Sequence, residues 1–280
     1  MNLIQQTGKL FNSGLAFDQY YKNLNQALRR YNDEYVMLHY PFFRSKSDSL
    51  FQGQKNLTDY CISLLEPLEN KTILEIGCGN GVQCMYIQEK CMPLAITGVD
   101  LDPSNIEIAN SEKNRKGLKN IEFYLGDAQT LTMIKDKTMD VVFNIESAFH
   151  YPDKITFLKQ VYRVLKPGGK FVITDILTTK GKGTGIRKFW KKKMKINNWS
   201  KHLYDSGFEM VNLRVDHSED ITSNIIEAFM NYPEWLKQMK KINLFNDLLF
   251  KFYYRIYLMW TLFVLRNRRQ YYVFAGLRPE

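Results

Sequence analysis

The chain has 280 residues, 45% of them hydrophobic and 24% charged, with a mean hydropathy of -0.35. That composition favours neither a disordered chain nor a multi-span membrane protein, and the length allows a sizeable buried core. The formal net charge of +10 comes largely from Lys180 to Lys195 (KGKGTGIRKFWKKKMK) and from Arg266, Arg268 and Arg269, which would attract anions or form a solvated basic face.

Residues 1–60 read as helical and rich in aromatics. They open without a basic region, apolar run and small-residue cleavage site in succession, so a cytoplasmic chain is expected, with contact to a membrane surface left open. The stretch YNDEYVMLHYPFF, Tyr31 to Phe43, is expected to lie against the open edge of a sheet. KTILEIG reads as a buried strand, followed by a helix from about Val82 to Lys90. AITGVDLD is a second strand, ending at Asp100; Pro103 and Ser104 then open a helix that Gly117 stops. NIEFYLGDA and MDVVFNIE are the third and fourth strands. From Ile155 to Lys166, Ile155, Leu158, Val161, Tyr162 and Leu165 share one helical face, and Pro167, Gly168 and Gly169 end that helix. KFVITDIL is a fifth strand, FEMVNLRVD a sixth and YYVFAGL the last.

Strands alternating with helical segments imply right-handed βαβ units and a parallel sheet. The expected fold is therefore α/β, a doubly wound, Rossmann-like, seven-stranded and mostly parallel sheet built from residues 61–219 with 270–280. An N-terminal helical segment (1–60) precedes it, and a helical cap (220–269) is inserted before the last strand. Cys61, Cys78, Cys84 and Cys91 show no paired C-x-x-C spacing, so reduced thiols and no metal site are expected. The basic runs lack any nucleic-acid-binding signature, so no nucleic-acid partner is expected; a homodimer is left open.

The stretch LEIGCGNG concentrates backbone freedom directly behind a strand, where an open parallel sheet binds its ligand. The order is E-x-G-x-G-x-G, with Glu75 ahead of Gly77, Gly79 and Gly81, in place of the dinucleotide pattern G-x-G-x-x-G. A carboxylate at a strand's end repels a pyrophosphate and attracts an ammonium or sulfonium. Asp100, about 20 residues on, suits a ribose clamp. In GDA, Asp127 could take an adenine amine while Ala128 leaves room for the ring. The ligand so described has a ribose, an adenine, a positive centre and a carboxylate, which is S-adenosylmethionine.

EIGCGNG, GVDLD, GDA and RVLKPGG, in this order, resemble the class I S-adenosylmethionine-dependent methyltransferases. NIESAFHYPD, ITDIL and DHSEDITSNI look most like small-molecule and lipid members: phthiotriol dimycocerosate O-methyltransferases, sugar O-methyltransferases and sterol-type C-methyltransferases. The resemblance implies S-adenosyl-L-methionine as cofactor. It adds Cys78, Leu101 and Asn144 to the cofactor set, and His39 and Tyr40 through an aromatic segment that closes over the cofactor.

Methyl transfer to a hydroxyl needs alignment and a base. His150, after the fourth strand, has a side chain whose ordinary pKa of about 6.5 suits that task. Asp175, ending the fifth strand, would orient the imidazole or bind the hydroxyl, as the resembling sugar O-methyltransferases imply. Glu146 would instead steady a carbocation in a C-methyltransferase. The expected acceptor is an apolar or lipid-like molecule. In LFNDLLFKFYYRIYLMWTLFVL, Asp247, Lys251 and Arg255 recur every four residues, which excludes a simple membrane span and leaves an amphipathic helix. Such a helix would line a substrate tunnel, rest on a membrane or pack on the core. Two other classes share these features: a nucleic-acid methyltransferase, which NIES disfavours by lacking D/N-P-P-Y/F, and a non-catalytic cofactor-binding protein, which the presence of both His150 and Asp175 disfavours.

Overall fold

The computed structural model describes residues 17–179, 197–231, 233–234 and 244–280. The basic run Lys180 to Lys195 lies outside the described residues, as do the side chains of Asp247 and Lys251. Helix α1 spans Phe17–Asn32 and α2 Leu50–Ser63. Strand β1 (Thr72–Ile76), α3 (Val82–Cys91), β2 (Ala95–Asp100), α4 (Pro103–Lys116), β3 (Ile121–Leu125) and β4 (Met139–Ile145) follow. The chain then forms α5 (Lys154–Val164), β5 (Leu165–Thr178), α6 (Lys201–Met210), β6 (Arg214–Asp220), α7 (Thr222–Met230), α8 (Leu244–Arg268) and β7 (Arg269–Leu277).

The seven strands form one sheet in the order β3-β2-β1-β4-β5-β7-β6, so the expected Rossmann-like α/β architecture is the observed one. β1 to β5 are parallel, and β7 runs antiparallel to both its neighbours. Successive side chains of a strand face opposite sides. Along β1, Ile73 joins the core formed with Leu57, Ile87, Phe143 and Val273, while Leu74 joins the one formed with Phe157, Phe171, Tyr204 and Phe274. Both faces are covered, which explains why these strands read as continuous apolar runs. Asp102 caps α4 by accepting from the Ser104 amide at 2.8 Å, and Gly117 ends that helix with φ +67.

Three expectations about local structure need correction. The turn expected at Pro167 to Gly169 is the start of β5, since α5 stops at Val164. The register between β4 and β5 shifts there, from Met139↔Leu165 to Val141↔Lys170, and Gly168 (φ +72) donates to the Arg278 carbonyl at 2.8 Å. A backbone pairing with Arg278, rather than a helix stop, therefore uses these residues. The sixth strand begins at Arg214, not Phe208: Val211 and Leu213 bury in the core from the turn that follows α6, so their spacing of two imitates a strand. β6 itself, RVDHSED, is polar and largely exposed. Finally, the aromatic segment lies over the ends of β1 and β4 instead of along an edge. Leu38 approaches Gly79, the Val36 carbonyl accepts from Asn80 at 2.8 Å, and the Tyr40 amide reaches Glu146 at 2.7 Å.

Candidate active site

Strand order reverses at β1, whose neighbours are β2 and β4, and ligands of open α/β sheets bind at such a crevice. The loop leaving β1 folds back there because the Gly77 and Cys78 amides donate to the Val99 carbonyl at 2.7 and 3.1 Å. Gly77 has φ +75, and a Cβ on it would stand 2.3 Å from Ser147 Oγ. A Gly77→Ala variant is expected to lose about 1–3 kcal/mol of stability to backbone strain and to displace Ser147, closing the site. Thermal melts and ligand titration of the variant check this, and wild-type binding would contradict it.

The loop borders a cavity of about 330 Å³, in the range of small-molecule sites. Of the residues expected from sequence, Glu75, Gly77, Cys78, Gly79, Asp100 and Leu101 line it from the β1 and β2 ends. Asp127, Ala128, His39, Glu146 and His150 complete the same cavity. Its lining holds four carboxyl side chains, Glu75, Asp100, Asp127 and Glu146, and among the described residues no lysine or arginine.

Glu75 faces the same side of β1 as Ile73, is buried and lines the cavity from the strand's end. The Cys84 thiol donates to its Oε2 at 2.8 Å, while burial pushes its carboxyl up to about 8. Asp100 accepts from the Gly79 amide at 2.9 Å and from the Asp102 amide at 2.9 Å; burial raises it too, against those hydrogen bonds. Glu146 sits at φ +52, a conformation rare for a long side chain, and its Oε2 accepts from the Tyr40 amide (2.7 Å) and the Tyr271 hydroxyl (2.8 Å). Its carboxyl is pushed up to about 8 by burial. Strain together with a buried acid facing a cavity is a mark of function.

His150 closes the short turn Ala148–His150, and its Nε2 lies 2.8 Å from the Tyr21 hydroxyl of α1. Asp175 does not serve as its partner in this structure. The Asp175 carboxylate is fully buried and receives Lys154 Nζ at 2.7 Å and the Tyr204 hydroxyl at 2.5 Å, outside the cavity lining. Lys154 Nζ also donates to the Ala148 carbonyl at 2.5 Å. Asp175 thus supports, through Lys154, the turn that presents His150 and does not line the cavity.

Two cofactor candidates are likewise placed outside the lining. Asn144 is buried beneath it, donating to the Ile76 carbonyl (2.8 Å) and Ser147 Oγ (2.7 Å), and so shapes the loops from below. Tyr40 contributes its amide to Glu146, while its ring packs on Phe229 and Tyr271. His39 does line the cavity: Nδ1 lies 3.0 Å from the Tyr40 carbonyl, and Nε2 is buried without a hydrogen-bond partner among the described residues. Burial lowers its pKa to about 4, so the ring is neutral and offers an acceptor.

Several lining residues were not anticipated. Gln83 Nε2, in the first turn of α3, is a second buried atom without a partner among the described residues, and a helix start beside a glycine loop was the available signal. Asn80 donates to the Asn25 carbonyl oxygen of its side chain at 2.8 Å, and Asn25 to Asn105 at 2.8 Å, latching α1 to the loop. Tyr21 and Asn25 lie in a segment with no motif to mark them. An acceptor and a donor left open in one acidic cavity are what a polar, cationic ligand would satisfy.

A family model described as "Methyltransferase domain" matches residues 67–227. The fatty-acid O-methyltransferase of Mycolicibacterium smegmatis is 35% identical over 152 residues, covering 54% of this chain and 49% of that protein. The phthiotriol/phenolphthiotriol dimycocerosates methyltransferase of Mycobacterium leprae is 38% identical over 109 residues, covering 39% of each. The chain thus spans half or less of the length of these relatives. Among solved structures, a geranyl diphosphate C-methyltransferase of Streptomyces coelicolor superposes with a TM-score of 0.73 at 15% identity, covering 94% of this chain and 96% of that one. The cyclase SpnF does so with 0.73 at 16%, covering 92% and 97%. Likeness at that identity shows the fold alone. With the family model spanning more than half of its residues, the chain belongs to the class I S-adenosylmethionine-dependent methyltransferases.

Proposed function

We propose that this protein transfers the methyl group of S-adenosylmethionine to an oxygen of a lipid-like acceptor. The observation that carries the proposal is a cavity at the strand-order switch lined by four carboxyl side chains and His150, with no described lysine or arginine. The Gly77–Gly79 loop, Asp100, Asp127 and Ala128 would hold the cofactor, and the open polar atoms of His39 and Gln83 fit a ligand rich in donors and acceptors. When bound, the cofactor supplies a methyl group already activated by its sulfonium.

His150 takes the proton of the acceptor hydroxyl as its oxygen forms the new C–O bond. S-adenosylmethionine would supply the methyl group and leave as the neutral thioether, its sulfur keeping the C–S electron pair. Tyr21 holds the imidazole, and Met37, Leu38 and Ile145 offer the apolar wall that excludes water. The latch between Asn25, Asn80 and Asn105 makes the N-terminal segment a lid over the cofactor. The relatives' names, fatty-acid and phthiotriol methyltransferases, favour a lipid-like acceptor.

Glu146 supports a second reading, methyl transfer to carbon, because a buried acid at a left-handed φ faces the same cavity. The two chemistries separate by substitution. With an oxygen acceptor, His150→Ala is expected to lower turnover about 100-fold, the lower end for general-base catalysis, while binding cofactor normally. Glu146→Gln should then matter less. Single-turnover assays with labelled cofactor and a lipid extract check this: the reverse order of effects assigns carbon transfer, and binding without any turnover on such an extract leaves a cofactor-binding protein.

A further inference from the structure

Helix α8 has two opposed apolar faces. Leu258 and Leu265 are buried in the core with Ile225 and Phe229 of α7 and Tyr271 of β7. On the other side Leu248, Phe252, Ile256, Met259, Trp260 and Phe263 are each 49% to 64% exposed. Their spacing of three or four keeps them in one stripe, about 22 Å long at 1.5 Å per residue. A monomer rarely exposes a contiguous apolar surface of this kind without a partner for it.

The charges beside the stripe choose the partner. At 100° per residue, about the helical period, Arg255 and Arg266 fall along one edge of it, and both are exposed. Arg266 also rests against the Met230 sulfur at 3.0 Å, where the exposed Met230 extends the apolar surface onto α7. The amino-acid sequence of α8 holds a single acid, Asp247. Just past the end of β5, the Thr179 amide donates to the Arg268 carbonyl at 3.4 Å. That contact falls at the last turn of α8, which carries Arg266 and Arg268.

An apolar stripe edged by cations is the pattern of a helix lying in a membrane interface. Two such stripes facing each other would bring like charges together, which disfavours a second copy as occupant. No described helix is long and apolar enough to cross a membrane, so the contact is with its surface. We infer that the outer face of α8, with Arg255 and Arg266 along its edge, docks this protein on an anionic lipid bilayer. The docking stands apart from the methyl-transfer reading, although both fit a protein whose acceptor is lipid-like.

Flotation of the purified protein with vesicles tests it. Wild type is expected to float with phosphatidylcholine vesicles containing phosphatidylglycerol, to stay behind with phosphatidylcholine alone, and to be released by salt. Ile256→Glu with Trp260→Glu should weaken binding more than about tenfold. Arg255→Gln with Arg266→Gln should cost about fivefold for each cation removed. Both variants should keep the wild-type heat of binding S-adenosylhomocysteine, which reads their folding. Failure of wild type to bind the anionic vesicles, or unchanged binding by the stripe variant, overturns the inference. So does a dimer in light scattering that the stripe variant abolishes. Vesicle binding by a protein that shows no heat with S-adenosylmethionine would sink the proposed function and leave the docking intact.

Discussion

Lys154→Met is expected to lower unfolding free energy by about 3–5 kcal/mol, the cost of leaving one member of a buried ion pair alone. Lys154 and Asp175 are both fully buried, 2.7 Å apart. Burial lowers the Lys154 pKa, and Asp175 works against that shift by favouring the charged amine. Without the amine, Asp175 keeps only the Tyr204 hydroxyl among the partners named above, and the Ala148 carbonyl loses its donor. The pair replacement Lys154→Met with Asp175→Leu should recover much of the loss, since two apolar side chains need no mutual compensation. Denaturant melts of the two single variants and the double variant form the cycle. If Asp175→Asn kept wild-type stability but lost turnover alone, Asp175 would be catalytic after all.

Cofactor affinity should rise steeply with pH, by up to about tenfold per unit for each proton released. In the free protein the carboxyls of Glu75 and Glu146 ionise near about 8, because burial penalises their charge. A sulfonium favours the ionised forms, so binding at neutral pH expels protons and strengthens until about pH 8, where the free protein is already ionised. S-adenosylhomocysteine, neutral at sulfur, should show a much flatter profile. Calorimetry of both ligands in buffers of different ionisation heat measures the released protons. Parallel profiles would mean that neither acid senses the sulfonium.

The same shifts act on the free protein's stability. A carboxyl raised from 4.5 to about 8 in the folded state contributes fully below pH 4.5 and loses that contribution as pH climbs to about 8. Melting temperature should therefore fall across that window, and Glu146→Gln should shallow the fall.

The amino-acid sequence by itself determined the sheet and the floor of the site. Parallel strands covered on both faces must be apolar, and a glycine loop after β1 with acids at the ends of β2 and β3 is set by local βα turns, so Gly77, Asp100 and Asp127 were legible from spacing. Tertiary structure alone decided the partners. His150 meets Tyr21 from 129 residues away, Glu146 is held by Tyr40 and Tyr271 from 106 and 125, and Asp175 is taken by Lys154. Asp175 and His150 follow adjacent strands, β5 and β4, yet a buried carboxylate pairs with whichever cation packing brings within reach, and here that is an amine at the start of α5. The bounds of β6 were misread for a related reason: a polar edge strand is held by its backbone ladder to β7, which leaves no apolar alternation over Asp216 to Asp220 to read.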